Sequence, residues 1–342
     1  MIYKTQAMND NVSNGSSQIR SIKKMFLWLN SGCNAKCKSC DIWREEIGHN
    51  LTFEEIKNWL PGWNALALQT IVICGEPLLY ADVWDILGEI KKYGIKIELL
   101  TNGILLERHA ANVTKFANEL RVSLDGPEKI HNYSRGRPNA FDKLRRGVEA
   151  VRSHVPGFSI GGRCHINKQN FRFLRETVET ARSLGLSFIS FSGTDFSNEE
   201  PFRRVNTITA SYGNSFAIRG EDLLELEADL KRFYVEHAAD FASGFISDSP
   251  EKLNSLLVEY YRDLNDGARR TIRCNAPWTS VVLEYNGVVR PCFPMPAYGN
   301  LKDHGSLSEA LNSLCATNFR EGLDVSSNPI CRNCACPEVN PM

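Results

Sequence analysis

No stretch of this 342-residue sequence is long and apolar enough to span a bilayer, and no run of basic residues breaks its charge balance. The first absence excludes a membrane-spanning helix. The second removes the footprint expected of a nucleic-acid or membrane-surface protein. With 40 basic and 40 acidic residues the formal charge is zero, so the charges read as a solvated surface. The first 24 residues lack both an apolar core and a small-residue cleavage site, which excludes a signal peptide and predicts a disordered polar leader over 1–24. Cysteine is the exception to this scarcity. A protein without an export signal is expected in the reducing cytoplasm, where 11 cysteines point to metal ligation and not to a disulfide framework.

Three of those thiols fall in Ser31-Gly32-Cys33-Asn34-Ala35-Lys36-Cys37-Lys38-Ser39-Cys40, directly after the apolar run Met25–Leu29. At Cys-x3-Cys-x2-Cys spacing they cannot all satisfy disulfide geometry with one another. They can wrap one iron-sulfur cluster and leave a fourth metal position without a protein ligand. No histidine lies within the stretch, the nearest being His49, so the pattern is not that of two cysteines followed by two histidines. A zinc knuckle completed by a distant ligand is the alternative for these three residues alone.

From Met25 to about Ser192 short β-branched runs alternate with helical periods, the pattern of βαβ units and a parallel sheet. Candidate strands are Met25–Asn30, Ile71–Cys74, Lys96–Thr101, Leu120–Leu124, Ser159–Ile166 and Phe188–Ser192. Thr52-Phe53-Glu54-Glu55 reads as a capping box, Asp82 with Asp85 opens a helix in the same way, and Gly94 and Gly185 close two helices. The fold class is α/β, a partial (βα)6 barrel over 25–193. In such barrels chemistry gathers at the carboxyl ends of the strands. The second strand ends in Cys74-Gly75-Glu76-Pro77, the third in Thr101-Asn102-Gly103, the fourth in Ser123-Leu124-Asp125-Gly126. On the fifth, Arg163, His165 and Asn167 alternate with Cys164 and Ile166, giving one polar face and one apolar face.

The chain then changes character. Asp195–Tyr212 is polar and irregular, and helical periods at Glu221–Ala238 and Pro250–Leu264 suggest a bridge or lid over 194–273. Residues 274–342 carry a second cysteine set: Cys274, then a hairpin turning at Asn286-Gly287 between Val281–Leu283 and Val288–Arg290, Cys292, a helix capped by Ser306 and Glu309, and finally Cys331, Cys334 and Cys336. Five thiols compete there for four places on one metal centre. Cys274, Cys292, Cys331 and Cys334 are preferred because Cys-x2-Cys is the better-precedented chelate, with Cys336 as the other last ligand. A four-thiolate zinc site is the alternative.

Taken jointly, these motifs resemble the radical S-adenosylmethionine (radical SAM) superfamily with a C-terminal SPASM/twitch-type auxiliary domain, in its abbreviated one-cluster form. Ser39 stands where that family usually has an aromatic residue before the third cysteine. The resemblance implies that Cys33, Cys37 and Cys40 hold a four-iron four-sulfur (4Fe-4S) cluster whose open iron binds SAM, and that the C-terminal thiols hold an auxiliary 4Fe-4S cluster. Gly75, Glu76, Asn102, Ser123, Asp125, Arg135 and Asn167 would then contact the cofactor, Arg135 through its carboxylate. Arg163 and His165 are candidates for substrate contact or proton handling. The implied activity is reductive cleavage of SAM to a 5′-deoxyadenosyl radical, hydrogen-atom abstraction from substrate, and net oxidation or rearrangement assisted by the auxiliary cluster. An electron donor such as flavodoxin or ferredoxin would serve it. The short polar leader favours a small polar metabolite such as a sugar, cyclitol or nucleoside as substrate, with a peptide or protein side chain as the second candidate. The alternative of another class is a non-catalytic, metal-stabilised binding or redox-sensing protein.

Overall fold

A computed structural model describes residues 17–46, 48–195, 215–267 and 270–340. The irregular stretch expected at Asp195–Tyr212 lies outside them beyond Asp195. Six strands run parallel: β1 (Lys24–Trp28), β2 (Thr70–Cys74), β3 (Lys96–Thr101), β4 (Glu119–Ser123), β5 (Ile160–Ile166) and β6 (Phe188–Gly193). Six helices interleave with them: α1 (Phe53–Ala65), α2 (Val83–Lys92), α3 (Leu106–Phe116), α4 (Glu128–Arg135), α5 (Ala140–His154) and α6 (Leu174–Ser183). This is the expected partial barrel. Its strands alternate as the pleat requires. On β1, Met25 and Leu27 are fully buried beneath the helices, while Phe26 and Trp28 face the interior. Each such fully buried aliphatic side chain contributes about 1.5–3 kcal/mol of transfer free energy.

Local signals behaved unevenly. Thr52 and Glu55 form the reciprocal capping box expected of them. Asp82 makes no side-chain cap; its carboxylate accepts from the Tyr80 hydroxyl instead, at 3.4 Å. The leader is ordered sooner than its composition suggested. Ile19 and Ile22 are buried, and the Asn312 side chain bonds both the amide and the carbonyl of Ile19. Two apolar residues spaced by three dock the segment while Asn312, Arg320 and the Leu66 carbonyl take up its backbone groups.

Beyond the barrel, α7 (Glu221–Glu236) lies along α6 through ion pairs such as Arg175 with Glu236. The helical period expected over Pro250–Leu264 is broken by a π segment, Asn254–Glu259, between Pro250–Leu253 and Tyr260–Asp266. The wider turn sets Tyr260 and Tyr261 side by side and fully buried, with the Tyr260 hydroxyl donating to the Thr194 carbonyl at 2.9 Å. No helix among the described residues is long and apolar enough to cross a membrane.

The C-terminal hairpin is joined to the barrel more closely than expected. β7 (Ser280–Leu283) pairs parallel with β1, Met25 opposite Val281, and β8 (Val288–Arg290) and β9 (Gly299–Asn300) follow antiparallel. One sheet of nine strands results, ordered β6-β5-β4-β3-β2-β1-β7-β8-β9. The tail then folds back on the start of β7. Asn275 donates from its amide side chain to the Asn340 carbonyl at 2.7 Å, and accepts from the Asn340 amide at 2.8 Å. Lys24, at the start of β1, pairs with Glu338. Replacing Asn275 by alanine strands both Asn340 groups in a buried site, and urea unfolding of Asn275→Ala should show a loss of about 2–3 kcal/mol; an unchanged midpoint would mean the tail is held elsewhere.

Candidate active site at the strand ends

The first cysteine set sits on a loop that leaves β1 and returns beside it. Its ends are tied where the Ser31 amide donates to the His49 carbonyl at 2.9 Å and the Leu51 amide to the Leu29 carbonyl at 3.0 Å. Its middle is tied to α4. A helix leaves its last carbonyls without intrahelical partners, and here the Lys36 amide donates to Arg135 at 3.0 Å and the Lys38 amide to Ser134 at 3.0 Å. The approach is close. Gly136 has φ 58°, and a Cβ built there would lie 2.1 Å from the Lys36 carbonyl oxygen, so the position admits no side chain.

Arg135 points from α4 into the site. Its Nε lies 2.8 Å from Asp125 Oδ2, and its Nη1 donates to Cys37 Sγ at 3.6 Å. Burial works against the guanidinium charge, but Asp125 and Cys37 outweigh that and hold it cationic. The other oxygen, Asp125 Oδ1, is buried without a hydrogen-bond partner. Ser123 is half-buried at the end of β4, level with Arg163 on β5.

Glu76 is fully buried after β2. It accepts from the Thr101 hydroxyl at 2.7 Å and from the Asn102 amide at 2.8 Å, and burial pushes its carboxyl up to about 7. Both its oxygens are thus engaged by the end of β3. Asn102 continues the chain of contacts, donating to Asn34 Oδ1 at 2.7 Å and Cys33 Sγ at 3.5 Å. Gly75, at φ 80°, lets the indole of Trp28 approach; a Cβ there would fall 2.5 Å from Trp28 Nε1.

The polar face of β5 opens into the barrel. Arg163 Nη1 donates to Ser190 Oγ at 3.4 Å, and His165 Nδ1 stands 2.9 Å from Ser192 Oγ. His165 exposes surface to the barrel interior although protein surrounds it; burial, then Arg163 and Arg135, push its imidazole down to about 3, which keeps it neutral. Asn167 differs from its neighbours. Its side-chain oxygen accepts from the Gln169 amide at 2.9 Å, closing a local turn, and its amide donates to Thr194 Oγ1 at 3.4 Å, just past β6. Two partners of this site carried no signal in the sequence: His131 on α4 and Asn170 beyond β5, which meet on the backbone of Asp125. A histidine or asparagine packed against a backbone follows no spacing rule.

In the second set, Cys274, Cys292, Cys331 and Cys334 line one small apolar cavity with Met295 and Ile330. Cys336 stands beside it, its amide donating to Cys334 Sγ at 3.4 Å. Its thiol also bonds that of Cys334, which pulls Cys336 down and pushes Cys334 up. Among the described residues no three histidines, cysteines or acids converge tightly enough to hold a single metal ion. Burial, first of all, raises the thiols of Cys33, Cys37, Cys40, Cys274, Cys292 and Cys331. Thiols gathered in two sets and free of disulfides fit multi-iron centres, whose positive charge would offset that burial and hold them as thiolates.

Fold and site together define an α/β barrel protein with an incomplete cysteine set at its mouth and a second set on an extension of the same sheet. The sequence matches the radical SAM superfamily over residues 29–181 and the SPASM iron-sulfur cluster-binding domain over residues 274–335. The chain belongs to the radical SAM superfamily and carries a SPASM domain. The cofactors of these two domains are SAM with its 4Fe-4S cluster and an auxiliary 4Fe-4S cluster. It is 29% identical over 169 residues to the AdoMet-dependent heme synthase of Methanosarcina barkeri (strain Fusaro / DSM 804), 47% of this chain and 48% of that protein. It is 23% identical over 298 residues to the antilisterial bacteriocin subtilosin biosynthesis protein AlbA of Bacillus subtilis (strain 168), 83% of this chain. The chain therefore spans 48% and 58% of these relatives' lengths. Streptococcus suis SuiB bound to its precursor peptide SuiA shares the fold, with TM-score 0.66 at 14% identity over 98% of this chain and 79% of that one.

Glu76 gives a pH test. Its pKa in the fold, about 7, stands above the ordinary 4.5, so its contribution to stability is full below 4.5 and is lost as pH rises through 7. Glu76→Gln should flatten that limb when urea midpoints at pH 5 and pH 8 are compared with wild type. An equal drop in both proteins would assign the limb to another group.

Proposed function

We propose that this chain is a radical SAM enzyme that modifies a peptide or protein side chain. The observation that carries the reading is coverage: the relative matched over 83% of this chain, AlbA, is a bacteriocin biosynthesis protein, against 47% for the heme synthase. SuiB, similar over 98% of this chain, was crystallised with a precursor peptide. The small polar metabolite expected from the short leader finds no such support and gives way to the second candidate.

In this reading Cys33, Cys37 and Cys40 hold the SAM-binding cluster, and Cys274, Cys292, Cys331 and Cys334 the auxiliary one, with Cys336 at its edge. When bound, these groups supply a 5′-deoxyadenosyl radical and an acceptor for a second electron. The chain's own residues bind, orient and exclude water. Asp125 offers an unpartnered carboxylate oxygen to a hydroxyl of the cofactor, and Ser123 stands beside it. Arg135 carries positive charge to the cofactor's carboxylate. Gly75, Glu76, Asn102 and Asn167 shape the walls. Arg163 and the neutral His165 face the substrate. An external one-electron carrier such as flavodoxin or ferredoxin completes the system, and the reaction is a net oxidation or crosslink.

Anaerobic reconstitution tests this. About eight irons per chain are expected, falling by about four in Cys33→Ala/Cys37→Ala/Cys40→Ala, with 5′-deoxyadenosine formed after dithionite reduction only by the wild type. Addition of peptides encoded beside the gene should raise deoxyadenosine formation and change the peptide's mass, whereas sugar and nucleoside pools should not. Zinc in place of iron would overturn the enzyme reading; stimulation by the small-molecule pools alone would overturn the peptide.

A further inference from the structure

The Asp125 peptide is held from both sides by buried side chains outside both cysteine sets. Its amide donates to His131 Nδ1 at 3.3 Å, and its carbonyl accepts from Asn170 Nδ2 at 3.1 Å. Asn170 is buried and also donates to the His165 carbonyl at 3.0 Å while its oxygen accepts from the Asn167 amide at 2.8 Å. His131 is fully buried with its ring edge-on to Phe141, centroids 6.1 Å apart. Because Nδ1 accepts, the proton sits on Nε2, which has no partner. The next residue, Gly126, has φ 147°, a conformation only glycine adopts freely, so the backbone after Asp125 resists movement weakly by itself.

We infer that His131 and Asn170 are positioning residues: together they clamp the Asp125 peptide and so fix where its carboxylate meets both Arg135 and the bound cofactor. The inference rests on the proposed SAM site. One carboxylate oxygen is committed to Arg135, which reaches Cys37; the other is unpartnered. A small rotation of the peptide moves both oxygens at once. The clamp joins the exits of β4 and β5 to α4, so those three elements share one reference point.

The test uses the reconstituted, anaerobic protein and SAM itself as the probe, reading iron content, the SAM dissociation constant by equilibrium dialysis, and the electron paramagnetic resonance shift that SAM induces in the reduced cluster. His131→Phe keeps the ring packing and removes the acceptor; it should retain its iron, bind SAM about tenfold more weakly and alter the shift, whereas His131→Gln, which restores an acceptor, should return to within about threefold of wild type. SAM binding and shift unchanged in His131→Phe, or equal losses in both variants, would overturn the clamp. Should His131→Phe lose iron, Asn170→Leu decides by the same two readings, and loss of iron there as well overturns it by making both residues supports of the fold. Wild-type protein that binds no SAM would instead overturn the proposed function.

Discussion

A helix ends with carbonyls it cannot satisfy, and in this protein the cysteine loop satisfies those of α4. That exchange fixes a flexible, metal-binding loop to a rigid element without a covalent link. It also sets the rest of the site in order: Arg135 leaves the same helix end toward Cys37, and Asp125, just before that helix, pairs with it. Gly136 makes the exchange sterically possible. The same bonds that place the thiols therefore place the charge that faces them.

The interior around this junction is mixed in character. Trp28, Ile42 and Cys74 form a small apolar group beside Cys33 and Cys40, to which the C-terminal hairpin adds Tyr285, edge-on to Trp28 at 5.1 Å. Polar groups take the opposite wall along β5. The strand-end site therefore has an apolar side at the first cysteine set and a hydrogen-bonding side along β5, a division that suits positioning more than general acid-base work.

Much of this was legible in the sequence. The two cysteine spacings, the six strands and the β5 polar face are one-dimensional patterns, and period and spacing are what a sequence displays. What it hid were relations between distant segments. That β7 would pair with β1 depends on edges left open after folding, which no local pattern encodes. Glu76 and Asn102, expected as cofactor contacts, bond to each other as internal struts, because a buried carboxylate takes whichever donors surround it. Ile19 and Ile22 were hidden by their polar neighbours. Asp82, a good cap by type, was drawn off by the Tyr80 hydroxyl.

The pairing of β1 with β7 has a kinetic side. β1 stands inside the sheet, between β2 and β7, so one of its edges waits for residues 280–283. On a ribosome that edge stays unpaired until most of the chain has been made, and its closure brings together residues some 250 apart, the kind of long-range contact that slows folding. The sheet cannot close on that side until the chain has passed Cys274 and reached β7. The strand that feeds the first set is thus closed by a strand that lies between the first two thiols of the second, so a single pairing ties the two cysteine sets together.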